Sequence, residues 1–211
     1  MTPRTVAMAV IVSAVFLVAS CSGSNTPGTP SAASQPPSSS APPASQTPPY
    51  AGAPKVTSPL PGTVLSGSAC DALTPEQVRI NLGATVPGEP GHLPGIGAEC
   101  NWTNSQTGGQ IGVFYVTEPK TGLSGNYANT RPKMAVWKEL PPIQGFPAVA
   151  YSDNGKPNPG FCAVSVGITD TLSIDVHANL SDQKAGKVDA CTIAPETAND
   201  VVTTLKQKAG S

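Results

Sequence analysis

The chain has 211 residues, with 12 basic and 13 acidic side chains and a formal net charge of −1. Without Arg4, which falls in a leader, eleven basic groups face thirteen acidic ones. That balance excludes a nucleic-acid binder, which needs clustered Lys and Arg to neutralise phosphates, and an electrostatic membrane-surface patch. Charged residues make up only 12% of the chain, whereas it holds 24 prolines and 21 glycines.

The first segment is a leader. One charge, Arg4, precedes the apolar run Val6–Val18. A membrane-spanning helix needs roughly 20 apolar residues, and this run is shorter. A basic start, a short apolar core and small residues at the exit describe a signal peptide over residues 1–20. Its exit, Val18-Ala19-Ser20-Cys21, resembles the bacterial lipobox. The resemblance implies a diacylglyceryl-modified, palmitate-bearing Cys21 as the new N-terminus. Several acyl chains, at about 0.8 kcal/mol per buried CH₂, hold a protein on the cell membrane. The expected address is therefore extracytoplasmic and lipid-anchored.

Residues 21–65 read as a disordered tether. From Ser22 to about Gly62 the composition is Ser, Thr, Ala, Gly, Gln and Pro, with eleven prolines and a single charge, Lys55. So little apolar surface does not offset the entropy of ordering. Such a linker reaches roughly 40 Å as a coil and about 130 Å as polyproline II.

Residues 66–211 read as one domain. Thr74, Pro75 and Gln77 form a capping box with Pro at the first helical position. Leu73 and Val78 stand where a hydrophobic staple forms, and Gly83 can close the helix in the left-handed conformation. A Gly/Pro-rich loop is expected over Ala84–Ala98. Strands are expected around Cys100–Trp102, then over Gln110–Thr117, Ala135–Leu140 and Phe146–Tyr151. Between the second and third of these, Leu123 and Tyr127 are four apart and suit one side of a helical turn. Cys162–Ile168 and Thr171–His177 alternate with period two around Thr169-Asp170, which predicts a hairpin with one buried face. Ala194, Ala198, Val201 and Leu205 recur at helical spacing, and Pro195 suggests a helix beginning there. The expected fold class is α+β: a single small domain, mostly antiparallel sheet of about six strands, with an N-terminal and a C-terminal helix.

Besides Cys21, four cysteines remain: Cys70, Cys100, Cys162 and Cys191. An even set in a small exported domain predicts disulfides. Zinc competes poorly, because no two lie at the close spacing of zinc ribbons.

The series Cys70-x-x-Leu73-Thr74-Pro75-x-x-Val78 with Gly83, Cys100-x-Trp102, Gly145-x-Pro147-Ala148, Cys162-x-Val164-x-Val166 and Cys191-x-x-Ala194 resembles an actinobacterial, chiefly mycobacterial, lipoprotein family of unknown function, domain of unknown function 3558. The resemblance spans the folded region and includes all four cysteines in order. It implies architecture and address but carries over no catalytic residue. In that family an uninterrupted C-terminal helix starting nearer Cys191 would be expected, so Pro195 is a departure. Of the three possible connectivities, Cys70–Cys100 with Cys162–Cys191 is expected: one bond joins the opening helix to the strand of Trp102, the other the hairpin to the closing helix.

Few residues nominate chemistry. His177 and Asp175 share a strand face, so a carboxylate-oriented imidazole is geometrically open to them; the bland reading is a solvated strand face. His92 reads as a loop residue. Val164-Ser165-Val166-Gly167 lacks the first glycine of a nucleophile elbow and sits mid-strand. Trp102, Trp137, Phe114, Tyr115, Phe146, Tyr151 and Phe161 suit a core or a ligand pocket, with core the commoner use. Asn101-Trp102-Thr103 and Asn179-Leu180-Ser181 match an N-glycosylation pattern that carries no weight in a bacterial lipoprotein.

The expectation is a monomeric envelope lipoprotein with a non-catalytic binding or adaptor domain and no catalytic residue, cofactor or metal. Its partners would be the membrane, through Cys21, and an envelope protein or small envelope ligand. The alternative is a cell-wall hydrolase or other envelope enzyme.

Overall fold

The computed structural model describes residues 46–153, 155–156 and 160–210. The expected leader, Cys21 and the first part of the expected tether lie outside them.

Seven strands form one antiparallel sheet: β1 Glu89–Leu93, β2 Gly97–Asn104, β3 Gly109–Val116, β4 Val136–Ile143, β5 Phe146–Ser152, β6 Phe161–Gly167 and β7 Ser173–Asn179. Their order is β1-β2-β3-β7-β6-β5-β4. Two meanders, of three and four strands, thus meet where β3 pairs with β7. The extra strand relative to the expected six is β1, in the stretch read as a loop. All five of its residues are exposed, so no alternation marks it; only backbone pairing with β2 makes it a strand. At the opposite edge, β4 tolerates Pro141 and Pro142 because its register with β5 breaks between Leu140 and Ile143.

The sheet's first face carries the main core. Ile111, Val113 and Tyr115 of β3, Ile174 and Val176 of β7, and Val164 and Val166 of β6 are all buried there. Helix α3, Ala190–Ala209, lies on this face with Ala194, Ala198, Val201, Val202 and Leu205 inward. It starts five residues before Pro195, which corrects the expected beginning. The Asp189 side chain accepts from the Cys191 N–H at 2.8 Å and caps the helix there. Near a helix start, proline removes only one backbone bond, so α3 continues through it.

Helix α1, Pro75–Leu82, has the predicted box: Thr74 Oγ1 accepts from the Gln77 N–H at 3.2 Å, and Gln77 Oε1 from the Thr74 N–H at 2.7 Å. Gly83 closes it at φ +73°. It does not open the domain, since 3₁₀ turns at Gly62–Leu65 and Ala69–Ala72 precede it.

The segment leading into and through the first of those turns corrects the tether boundary. Val56, Leu60, Val64 and Leu65 are buried. The Val56 N–H donates to Asp170 Oδ1 at 2.8 Å and the Leu60 N–H to the Ile168 carbonyl at 3.3 Å. Four apolar residues among the prolines suffice to bind this strap around the β6–β7 turn. Its composition hid them, because they have neither period two nor period 3.6. Leu60→Ala should therefore lower stability by about 2 kcal/mol, read by urea unfolding; a tether residue would show no change.

The hairpin β6–β7 turns at Ile168–Leu172, with Leu172's carbonyl accepting from the Ile168 and Thr169 N–H groups. Contrary to expectation, β6 is buried on both faces. The chain between β3 and β4 causes this. It leaves mid-sheet, crosses the second face and rejoins at the far edge. On the way it forms the short helix α2, Leu123–Gly125, a π turn over Asn126–Thr130 and a 3₁₀ turn over Arg131–Lys133. Leu123 and Tyr127 pack down onto Val149, as their spacing suggested.

Cys70 pairs with Cys100 and Cys162 with Cys191, at Cα separations of 5.0 and 5.1 Å. The first ties the chain before α1 to β2, and the second ties β6 to α3.

Candidate ligand-binding face

Among the described residues, the crossing segment divides the second face into a covered half and an open half. Pairing builds one row straight across it: Asn101, Gly112, His177, Ala163, Tyr151 and Trp137. A second row runs Glu99, Phe114, Asp175, Ser165, Val149 and Glu139.

The covered half holds a polar network. Ser165 Oγ donates to Asp175 Oδ1 at 2.5 Å, and Asn126 Nδ2 donates to Ser165 Oγ at 2.8 Å. The Tyr151 hydroxyl reaches Asp175 Oδ2 at 3.3 Å. Burial pushes the Asp175 carboxyl above the usual carboxylate range, against the pull of these hydrogen bonds. It also raises the Tyr151 phenol, and the Asp175 charge adds to that. Beside the network, Trp137 stacks on Tyr151 at 5.9 Å and meets Tyr127 edge-on at 5.2 Å. The Arg131 guanidinium sits 5.7 and 5.8 Å from the Tyr127 and Trp137 ring centres, with Glu139 at 4.0 Å. Burial, with Glu139 second, pushes the Tyr127 phenol up to about 12.

The open half centres on His177. Its imidazole lies over Gly112, where a β-carbon would overlap the ring and stand 2.7 Å from Asn101 Oδ1. Phe114 and Phe161 flank it at centroid distances of 5.5 and 5.9 Å, tilted by 38° and 37°. All three rings are half-buried. Asn179 Nδ2 donates to Gln110 Oε1 at 3.2 Å in the next row.

Burial holds His177 below the ordinary histidine value, so the folded state favours the neutral ring. The unfolded chain then binds the proton more readily. Stability from this site is complete above the ordinary value of about 6.5 and falls as pH drops from there toward the depressed folded value. His177→Phe should remove that loss. The wild-type melting temperature should thus fall relative to the variant between pH 7 and 5; a constant difference would contradict the burial argument.

Asp175 and His177 do share a face, as alternation requires, but no hydrogen bond joins them among the described residues. The carboxyl turns to Ser165 and Tyr151, whereas the imidazole packs between phenylalanines. Ser165 is fully buried mid-strand. His92 is exposed on β1. Trp102, Tyr115 and Phe146 are core; Phe114, Phe161, Trp137 and Tyr151 instead make up the second face. Asn101 and Asn179 lie on it too. Sequence reasoning missed Gly112 and Asn126: alternation ranks neither, and only pairing register brings them to the site.

Open clefts border the sheet. One of about 250 Å³ adjoins the open half at Gln110 and Asn179 and is also bordered by Ile80, Thr107, Leu180 and Lys184. Another, of about 550 Å³, is bordered by Leu73, Val78, Val86, Pro87 and Trp102 beside the first disulfide. Among the described residues, no three or more His, Cys, Asp or Glu converge to hold a metal ion. No helix there is long and apolar enough to cross a membrane.

The described residues thus form a small α+β domain: one seven-stranded antiparallel sheet with three helices, one of them C-terminal, and two disulfides. Residues 16–204 match the family described as protein of unknown function (DUF3558), and the chain belongs to that family. No curated protein and no solved structure matches it. The two disulfides suit an oxidising, extracytoplasmic setting.

Proposed function

We propose that this is a cell-envelope lipoprotein of the actinobacterial kind, anchored through a diacylglyceryl-modified Cys21, whose domain binds a partner without catalysing a reaction. The single observation behind the binding role is the open half of the second face. Two half-buried phenylalanine rings, Phe114 and Phe161, flank the half-buried His177 there, on a sheet whose other face is filled by α3. A carrier needs an enclosed apolar cavity, whereas the clefts described above are open to solvent. An open, ring-bearing surface suits an adaptor or a surface binder. The absence of a bond between Asp175 and His177 counts against the hydrolase reading, which would need them to act together.

The anchor is tested by growing a bacterial host on labelled palmitate. The wild-type chain should incorporate label and sediment with membranes. Cys21→Ala should lose the label and leave the membrane fraction; unlabelled wild type, or membrane retention of the variant, would overturn the anchor. The binding role is tested by cross-linking from Phe161 in the intact envelope. A reproducible adduct supports it, and none after full-chain expression argues against it.

A further inference from the structure

We propose that the open half of the sheet's second face binds an uncharged glycan chain, an inference that rests on the binding reading above. The face combines two chemistries that a sugar ring needs together. Phe114, His177 and Phe161 are consecutive ring neighbours, at 5.5 and 5.9 Å, and each keeps part of its surface in solvent. Aromatic faces carry negative charge density, which the C–H-rich face of a pyranose complements. Around them stand groups that match hydroxyls. Asn101 lies in the His177 row, and Gln110 and Asn179 pair in the next. Each amide both donates and accepts, as a sugar hydroxyl does.

The remaining polar neighbours narrow the class. Glu99 occupies the Phe114 row, and Glu89 extends the His177 row onto β1. No Lys or Arg occurs on β1, β2, β3 or β7, or among the residues of β6; Lys184 borders the cleft beyond Gln110 and Asn179, at the edge of the face. Those strands therefore offer an anionic polymer two carboxylates and no cation, while offering hydroxyl donors extra acceptors. The surface is a sheet face rather than a closed cavity, so it suits an extended chain better than an acyl tail. Gly112 and Ala163 flank His177 along its row, which keeps the rings, rather than their neighbours, uppermost. Burial holds the imidazole below the ordinary histidine value and so favours its uncharged form.

The test is nuclear magnetic resonance on the oxidised chain from residue 46 onward, within the unit that residues 43–211 form, with hexamers of N-acetylglucosamine, glucose and arabinose as probes. At least one should cause saturable shifts at His177, Asn101 and Asn179, with upfield movement of its own ring protons. Phe114→Ala should weaken that affinity about tenfold. Phe161→Ala provides the same test should the first variant fail to fold. No saturable shift at these residues with any hexamer would overturn the glycan proposal. Shifts that instead follow protein concentration alone would assign the face to a second copy and also overturn it. A Phe161 cross-link to an envelope protein, with no hexamer bound, would leave the binding role standing while the glycan falls. Absence of both cross-link and hexamer binding would remove both.

Discussion

Replacing Cys162 and Cys191 together by alanine should lower stability by about 3.5 kcal/mol, roughly 7–14 °C in melting temperature. The bond closes a loop with a sequence separation of 29, and its loss returns that loop-closure entropy to the unfolded chain. The consequence is local as well. Cys191 sits in the first turn of α3, and α3 fills the sheet's first face from Ala194 to Leu205. Hydrogen exchange should accelerate most at Ala190–Thr197, where the helix start loses its covalent tie to β6. The comparable pair Cys70 and Cys100, at a separation of 30, should cost a similar total and loosen the chain before α1 instead. Calorimetry that found either double variant within 1 kcal/mol of the wild type would contradict the chain-entropy account.

Gly97→Ala should be among the most damaging single substitutions, at about 3 kcal/mol. Two effects coincide there. The residue holds φ +139°, a conformation that side-chain-bearing residues rarely adopt. Its added β-carbon would overlap the Tyr115 carbonyl oxygen and stand 2.7 Å from Thr117 Oγ1. The obstacle is backbone, so it does not swing aside. It is held in place because the Thr117 and Glu118 N–H groups both donate to the Ile96 carbonyl nearby. Gly67 provides the control. It too has positive φ, +91°, but no atom lies within 4 Å of its would-be β-carbon. Gly67→Ala should therefore cost only about 1 kcal/mol, from conformation alone. Urea unfolding of the pair separates the two contributions, and equal losses would show that crowding at Gly97 contributes nothing.

Much of the sheet and the first α-helix was legible locally. Thr74, Pro75, Gln77 and Gly83 define a helix through contacts only a few residues apart. The alternation of β6 and β7 is likewise a property of each strand by itself. The candidate face was not legible in this way. Asp175 and His177 were readable as neighbours on one side of β7, yet their different surroundings come from elsewhere. Ser165 and Tyr151 reach Asp175 from β6 and β5, and Asn126 arrives from the crossing segment. His177 receives Phe114 from β3 and Phe161 from β6. Which strand lies beside which is a long-range choice, and residues 165 and 126 carry no periodic mark of it.

The capped helix, the alternating hairpin, the four-cysteine framework and family membership follow from residue types at short or fixed spacing, and so can be read along the chain. Long-range packing makes an exposed pentapeptide an edge strand and binds part of a proline-rich strap. The same packing lets α3 run through Pro195 and leaves one sheet face half open among the described residues. These outcomes turn on whether distant surfaces meet and exclude water, and such burial depends on the whole chain rather than on any window of it.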